Sequence, residues 1–361
     1  MVCTGLGRIK RGFESYILDL AAMLQESTPP IQFQVLAGKK IEQVSFQQEA
    51  IPHIHRHHSI WRWLRLHANT AFAREQDFFF LGMIPQLFKN KAALYYLGEY
   101  RLYCHLYRFR KWFGLQYRLC LYTGGQAIPG LFDNRYDYVH HITQVYYQQA
   151  LKNGIPENKQ RILPHVVNHE FEQDATLIES IQKKAKGKKI ILSVGTIDTK
   201  VKRMHLIPAM LQGMEDDFFV VICGNRTKET PEIEKQLIAV FGEQGYLLVQ
   251  VDRKLLGSYY VAADAFVLCS PKESFGMALV EAMYHQLPIL VHDFEEAHYV
   301  TQENATYINM DSIEQVQHWI KENWYHQKLE KSAAAQSFAM DSYSRSALAN
   351  KYTRMFQNML Q

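Results

Sequence analysis

From residue 188 onward, short unbroken apolar runs alternate with stretches of helical periodicity. The runs at 189–194, 218–223, 246–251, 265–269 and 289–292 predict strands, and 204–214, 231–241, 255–262 and 275–285 predict helices. Thr230 stands where a helix cap is expected, with Pro231 at the first helical position. Strands that are apolar throughout, with no polar alternation, belong to a parallel sheet covered on both faces. This half therefore predicts a doubly wound α/β domain. Ligands of such domains bind beyond the carboxyl ends of the strands, which singles out the loops at 195–203, 224–229 and 270–276.

The first half alternates less clearly. A loop containing Gly5 and Gly7 precedes an amphipathic helix over 12–24. Apolar runs at 31–36, 77–82 and 118–123 predict strands, the last closed by Gly124 and Gly125, with shorter candidates at 136–140 and 161–164. This again points to an α/β domain. Its first strand has only about four residues before Gly5, short against the usual five or six. A boundary fits near 164–170, ahead of a charged helix over 173–186. There is no low-complexity linker and no repeat of identical residues. Two α/β halves side by side create a cleft between them, a preferred place for a ligand.

Composition narrows the class. A chain of 361 residues with 47% apolar and 21% charged residues reads as a soluble two-domain protein. Cys3, Cys104, Cys120, Cys223 and Cys269 form no CxxC pair, which argues against a disulfide framework or a zinc cluster and for thiols in a reducing compartment. No apolar stretch approaches the ~18 residues that span a bilayer, and Asp19 interrupts the first apolar helix, so no signal-peptide layout is expected. A cytoplasmic protein is the expectation. Charge is segregated: residues 1–165 hold 20 Lys and Arg against 11 Asp and Glu, residues 166–361 hold 20 against 25. Different partners for the two halves and plain solubilising surface are the competing explanations.

The candidate chemistry lies at 270–281. The run from Ser270 to Gly276 follows a buried strand and opens a helix, where the first amides lack intrahelical partners and carry the positive end of the helix dipole. Gly276 admits a ligand close to that backbone, and the N–H groups of Gly276, Met277 and Ala278 suit phosphate or sugar oxygens. Glu273 can accept hydrogen bonds from hydroxyls, and Glu281 suits the two hydroxyls of a ribose. The competing assignment makes Glu273 a helix-cap acid and Glu281 a solvated face residue.

The stretch Val261–Ser270, then Glu273, Phe275 and Gly276, then Glu281-Ala-Met283 and Leu287-Pro288, resembles the signature of family 4 glycosyltransferases. Ser193-Val-Gly195 with Lys202 and Arg203, Val221-Ile-Cys-Gly224, Gly5-Leu-Gly7 with Arg11-Gly-Phe-Glu14, and Asp137–Thr143, Gly154-Ile-Pro156 and Ile162-Leu-Pro164 are similar to further parts of that family, whereas residues 37–115 carry almost none of it. The resemblance implies a retaining, metal-independent hexosyltransferase of the GT-B fold, two Rossmann-like doubly wound domains facing each other across a cleft. It implies an acceptor-side domain over 1–166, a nucleotide-sugar domain over 167–338 and a closing helix over 339–361 that crosses back. Carried over residue by residue, it implies catalytic roles for Glu273 and Lys202, with His140 as candidate beside the transferred sugar. The implied donor contacts are Gly7, Gly195, Thr196, Lys200, Arg203, Gly224, Asn225, Ser274, Phe275, Gly276, Met277, Ala278 and Glu281. UDP-sugars are the commoner donors of such enzymes and GDP-mannose comes second; no cofactor is implied.

Three departures bear on the donor. Thr196 stands where many relatives have a phosphate-binding arginine, Gln286 replaces a glycine before Leu-Pro, and 293–299 lacks a glycine-rich turn. A non-catalytic nucleotide-sugar-binding subunit is the alternative these keep open. Residues 53–74 and 100–118 interleave Trp61, Trp63, Trp112 and Phe113 with Arg56, Arg62, Arg65, Arg108, Arg110 and Lys111. Peripheral contact with the inner face of a membrane, core packing and an acceptor groove all fit that pattern; no nucleic-acid-binding module accompanies it. The histidines at 53, 55, 57 and 58 match no standard zinc spacing. The acceptor is left open among glycans, lipids and small molecules.

Overall fold

The computed structural model describes residues 1–9, 12–27, 30–42, 44–64, 67–89, 92–124, 136–325 and 332–361. Arg11, Arg65 and Gly125 lie outside the described residues, as does the side chain of Arg62. The chain forms two compact units, one of residues 1–166 with 345–361 and one of residues 167–344.

The first unit is built on seven strands: β1 (Val2–Cys3), β2 (Val35–Ala37), β3 (Gln48–Ala50), β4 (Leu94–Leu97), β5 (Arg118–Tyr122), β6 (Tyr138–His141) and β7 (Gln160–Ile162). They pair in parallel in the order β3-β2-β1-β4-β5-β6-β7. The expected strand at 77–82 is instead part of the helix Ala68–Lys89. Phe79, Met83 and Leu87, four residues apart, reach the core, while Leu81 and Phe88 face solvent. A six-residue apolar run fits either period, and only the longer span reveals the helical one. The strand that joins β1 to β5 is β4, a Leu-Tyr-Tyr-Leu run. The run at 31–36 contributes only its end, as β2.

Beside a mainly aliphatic cluster that includes Val2, Leu97, Leu119 and Val139, aromatic rings and imidazoles form a second part of the core of this unit. Tyr16, on the helix Gly12–Gln25, meets the hydroxyls of Tyr96 at 2.8 Å and of Tyr352 at 3.1 Å, the latter on the helix Arg345–Leu360. His140 Nε2 donates to the Leu163 carbonyl at 3.0 Å, so its Nδ1 accepts from the Tyr96 hydroxyl at 2.6 Å. Tyr352 donates to the Pro164 carbonyl at 2.8 Å. With those protons committed, Tyr16 has one proton for two neighbours and serves one at a time. Tyr122 bonds His165 Nε2, and its ring stacks on those of Phe13 and Tyr16. His140 is wholly buried and both of its ring nitrogens are occupied. It is a core residue that ties β6 to β4 and to the segment after β7, and this corrects its assignment beside the sugar.

The second unit carries β8 (Lys189–Val194), β9 (Phe218–Cys223), β10 (Tyr246–Val249), β11 (Ala265–Leu268), β12 (Ile289–His292) and β13 (Thr306–Ile308), all parallel, in the order β10-β9-β8-β11-β12-β13. The direction of strand order reverses between β8 and β11, which makes their carboxyl ends the switch point of a doubly wound sheet. Ile191, Val220, Ile222 and Val267 pack against Met204, Ile207, Ile233 and Leu237 on one face. Residues 339–344 stay with this unit, and 339–343 are the end of the helix Ala333–Tyr343; the segment that joins the first unit starts at Arg345. Thr230 does not cap the helix Thr230–Phe241. It is the first residue of that helix, and its hydroxyl accepts from the Thr227 amide at 2.8 Å and donates to the Ile197 carbonyl at 3.3 Å.

Burial holds His140 and His165 down to a pKa of about 3 and His141 to about 4. The unfolded imidazoles titrate near ~6.5, so below that pH the unfolded chain binds more protons and stability falls as pH drops toward the folded values. Glu99, pushed up to about 7 mainly by burial, acts oppositely: its folded form holds a proton that the unfolded form has lost above ~4.5. Three groups outweigh one, at roughly 1 kcal/mol per pH unit for each histidine. The midpoint of urea unfolding of the first unit is therefore expected to be lower at about pH 5 than at about pH 7, and an unchanged midpoint would contradict the buried neutral imidazoles.

Candidate functional site

Three loops meet at the carboxyl ends of β8, β9 and β11, and backbone proximity comes first. A β-carbon on residue 224 would lie 1.5 Å from the Gly195 carbonyl oxygen, so the loops after β8 and β9 can touch only if residue 224 is glycine. Gly195 has φ 156°, and a β-carbon there would lie 2.9–3.1 Å from the Lys202 side-chain methylenes. The lysine stem thus rests directly on the Gly195 backbone.

Asp198 sets the path of the intervening loop. It is 9% exposed, and its Oδ1 accepts from the amides of Lys200 (3.0 Å), Val201 (2.6 Å) and Lys202 (2.9 Å). Thr199 donates its amide and hydroxyl to Glu229 Oε2 at 2.7 and 2.6 Å, and these bonds hold the Glu229 carboxyl below the usual range. Loop 198–202 is thereby fixed to the loop after β9. Lys202 Nζ, so placed, bonds Glu273 Oε1 across the switch point, and both side chains are mostly shielded from solvent.

Arg203 behaves differently from its neighbour. It sits at φ 49°, where a non-glycine residue costs about 1–2 kcal/mol. Its guanidinium bonds the Cys269 carbonyl at 2.7 Å, Asp311 Oδ1 at 2.5 Å and His292 Nδ1 at 3.1 Å. His292 Nδ1 also accepts from the Met310 amide at 3.1 Å, so that nitrogen carries no proton; burial and Arg203 both lower its pKa. Arg203 is a tie between β11, β12 and the loop after β13. Lys200 and Thr196 are exposed on the same loop, and the exposed Asn225 accepts the Ile197 amide through its carbonyl at 3.0 Å.

Gly276, at φ 82°, precedes the helix Met277–Tyr284 and has no side chain to cap it. The Met277 and Ala278 amides come before the first intrahelical acceptor and point out of the helix start. Phe275 is buried edge-on against Tyr343, at 5.5 Å between ring centroids, with the partly buried Ser274 before it. Glu281 is 5% exposed and accepts from the Tyr260 hydroxyl at 2.8 Å. It is a bonded core carboxylate and not a residue of a solvated face. Gln286, in place of the glycine that resembling sequences carry, takes φ 60°, with its carbonyl bonded to the Ser332 amide at 2.9 Å and its side chain to Gln336 at 2.9 Å.

Gly7, the remaining expected contact, belongs to the first unit. There φ is 80°, and a β-carbon would lie 2.2 Å from the Lys39 carbonyl oxygen. Gly38, in the segment after β2, meets the Thr4 carbonyl oxygen at 2.0 Å in the same sense. Among the described residues no group of three or more His, Cys, Asp or Glu is placed to hold a metal ion. A separate cavity of about 490 Å³, lined by His169, Gln173, His285 and Gln336 among others, lies at the far end of the helix Met277–Tyr284. Asp198, Glu229 and Tyr260 were not expected from sequence. The spacing Asp198-x-Lys200-Val-Lys202, an acid followed by three amides in a loop, is the signal that could have found the first of them.

Residues 174–336, nearly all of the second unit, match the family described as "Glycosyl transferases group 1". HepE of Anabaena, solved in complex with UDP and glucose, is 11% identical and superposes with a TM-score of 0.73, covering 99% of this chain and 98% of that one. A glycosyltransferase of Rickettsia africae gives 13% identity and 0.74, covering 100% and 97%. Sucrose-phosphate synthase of Thermosynechococcus elongatus gives 14% and 0.74, covering 97% and 94%. The fold is that of GT-B glycosyltransferases. An uncharacterized 41.2 kDa protein in the cps region of Klebsiella pneumoniae is 24% identical over 217 residues; the match spans 59% of this chain and 59% of that relative.

Asp198→Ala leaves three amides without their acceptor and is expected to cost roughly 1–3 kcal/mol. Calorimetry should show a lower transition for the second unit, with partial recovery in Asp198→Asn, whose side-chain oxygen can still accept. A transition unmoved in Asp198→Ala would mean that the loop is held by other contacts.

Proposed function

We propose that this protein is a retaining glycosyltransferase of the family 4 type that moves a hexosyl group from a nucleotide sugar to an acceptor. A UDP-sugar is the favoured donor and GDP-mannose the second. The observation that carries the proposal is the Lys202–Glu273 pair, laid over Gly195 at the switch point of the second sheet beside the start of the helix Met277–Tyr284. The UDP and glucose bound to HepE support a uridine donor.

In this mechanism Lys202 leaves Glu273 and meets the diphosphate, together with the Met277 and Ala278 amides. One preorganised donor of this kind is worth roughly 3–4 kcal/mol of transition-state stabilisation. Glu273, released, accepts hydrogen bonds from hydroxyls of the transferred sugar and fixes the anomeric carbon. Glu281 takes the ribose hydroxyls, for which Tyr260 holds its carboxylate in one orientation. Lysine and helix amides supply the positive charge that a divalent ion provides elsewhere, so transfer proceeds without a metal. Acceptor binding falls to the first unit.

A ligand that binds only the native state raises the melting temperature. UDP at about a hundred times its Kd stabilises by about 2.7 kcal/mol, a shift of several degrees for a unit of this size. UDP is expected to give that shift, and GDP and ADP a smaller one. Lys202→Ala and Glu273→Ala should each lower kcat by roughly a hundredfold or more while remaining folded, and the anomeric proton of the product should show retention by NMR. A chelator should leave the rate unchanged. A shift with GDP alone would move the donor to GDP-mannose; unchanged turnover in both variants would remove the site.

A further inference from the structure

The outer helices of the first unit carry a feature that sugar transfer does not use. The helices Ala68–Lys89 and Tyr100–Phe113 end together: the rings of Phe88 and Phe113 meet edge to face at 5.7 Å, and Phe109 lies beneath them at 5.7 and 4.4 Å. Phe109 is buried, but Trp112 is 79% exposed and Leu81, Phe88 and Phe113 are each 55% exposed. A large exposed aromatic cluster marks an interaction surface, because its burial is favourable and, among the described residues, no element supplies it. Exposed Lys89, Arg108 and Lys111 surround it, and none of them has a carboxylate partner among the described residues. Nearer the other end of the same helices, by contrast, Arg74 and Arg101 are both paired with Asp77. The whole unit holds 23 Lys and Arg against 11 Asp and Glu, whereas the second unit holds 17 against 25.

We propose that this end of the two helices is a docking surface for an anionic lipid bilayer. Tryptophan and phenylalanine side chains settle at the depth of the headgroups, and unpaired cations beside them are drawn to anionic lipid. Charge favours this occupant over a two-fold dimer through the same face, which would set three cations without carboxylate partners against three more. Among the described residues no helix is long and apolar enough to cross a membrane. Its position follows from topology. The chain passes from Phe113 through 114–117 into the start of β5, so the surface lies at the amino-terminal edge of the sheet, opposite the loop of Gly5 and Gly7 that follows β1.

The test uses the full chain and sedimentation with vesicles of mixed phosphatidylglycerol and phosphatidylcholine, against vesicles of phosphatidylcholine alone. The protein is expected to sediment with the anionic vesicles and not with the neutral ones. The double variant Arg108→Gln, Lys111→Gln should partition about twentyfold more weakly, and Trp112→Ala at least about fivefold more weakly. These side chains are exposed, so circular dichroism and melting should match the parent protein. Lys202→Ala should bind vesicles as the parent does, which separates this surface from the proposed donor site. No sedimentation with anionic vesicles, equal sedimentation with neutral ones, or variants that sediment like the parent would each overturn the proposal. So would a dimer in solution that Trp112→Ala dissolves, because a second copy would then cover the face.

Discussion

In the second unit the carbonyl oxygen of Gly195 occupies the place that a β-carbon of residue 224 would need. That approach brings the loops after β8 and β9 into backbone contact and leaves the Gly195 backbone bare on its other side. The stem of Lys202 lies on that bare backbone, and the three amide bonds to Asp198 keep it there. From that perch the ammonium group reaches Glu273 across the switch point. One steric constraint thus sets the position of a charge several residues away in sequence. Glycine is required because the surroundings exclude a side chain, and flexibility does not enter the explanation.

The first unit uses the same device. Gly38, after the second strand of its sheet, presses on the Thr4 carbonyl after the first strand, as Gly224 presses on Gly195. No repeated residues betray the likeness. It becomes visible only when the two sheets are described by strand order. Elsewhere the units differ: beside its mainly aliphatic cluster the first buries tyrosines and neutral imidazoles joined through hydroxyl hydrogen bonds, whereas the core cluster of the second is mostly aliphatic. A polar core of that kind fixes geometry closely, since each group has few acceptable partners.

Much of the second unit was legible in the sequence, because its central strands are apolar on both faces and β8, β9 and β10 adjoin a glycine. Phe218–Cys223 and Ile289–His292 are the runs as read. The first unit was less legible. Its β4 is half tyrosine and its β3 is the polar edge segment Gln48–Ala50, so neither gives a run of aliphatic residues. The Phe-rich segment at 78–81 showed a strand's composition within a helix's period. At the site, Glu273 and Lys202 could be named because a motif and a resemblance marked them. Asp198 and Glu229 could not, since their task is to hold amides and hydroxyls whose positions exist only in three dimensions. His140 misled for a related reason: a histidine at the end of a strand reads alike whether it faces a ligand or, as here, a ring of tyrosines.

The contact between Lys202 and Glu273 has a consequence for selectivity. The lysine already holds an anion, tethered and at high local concentration, so any incoming anion has to displace an internal competitor. A simple phosphate that captured the ammonium would leave a shielded carboxylate with no partner, and the exchange would gain little. A molecule with negative charge at one end and hydroxyl groups at the other satisfies both released groups at once. On the proposed function, the ion pair would therefore favour a ligand that carries both functionalities at the right separation over one that carries either alone.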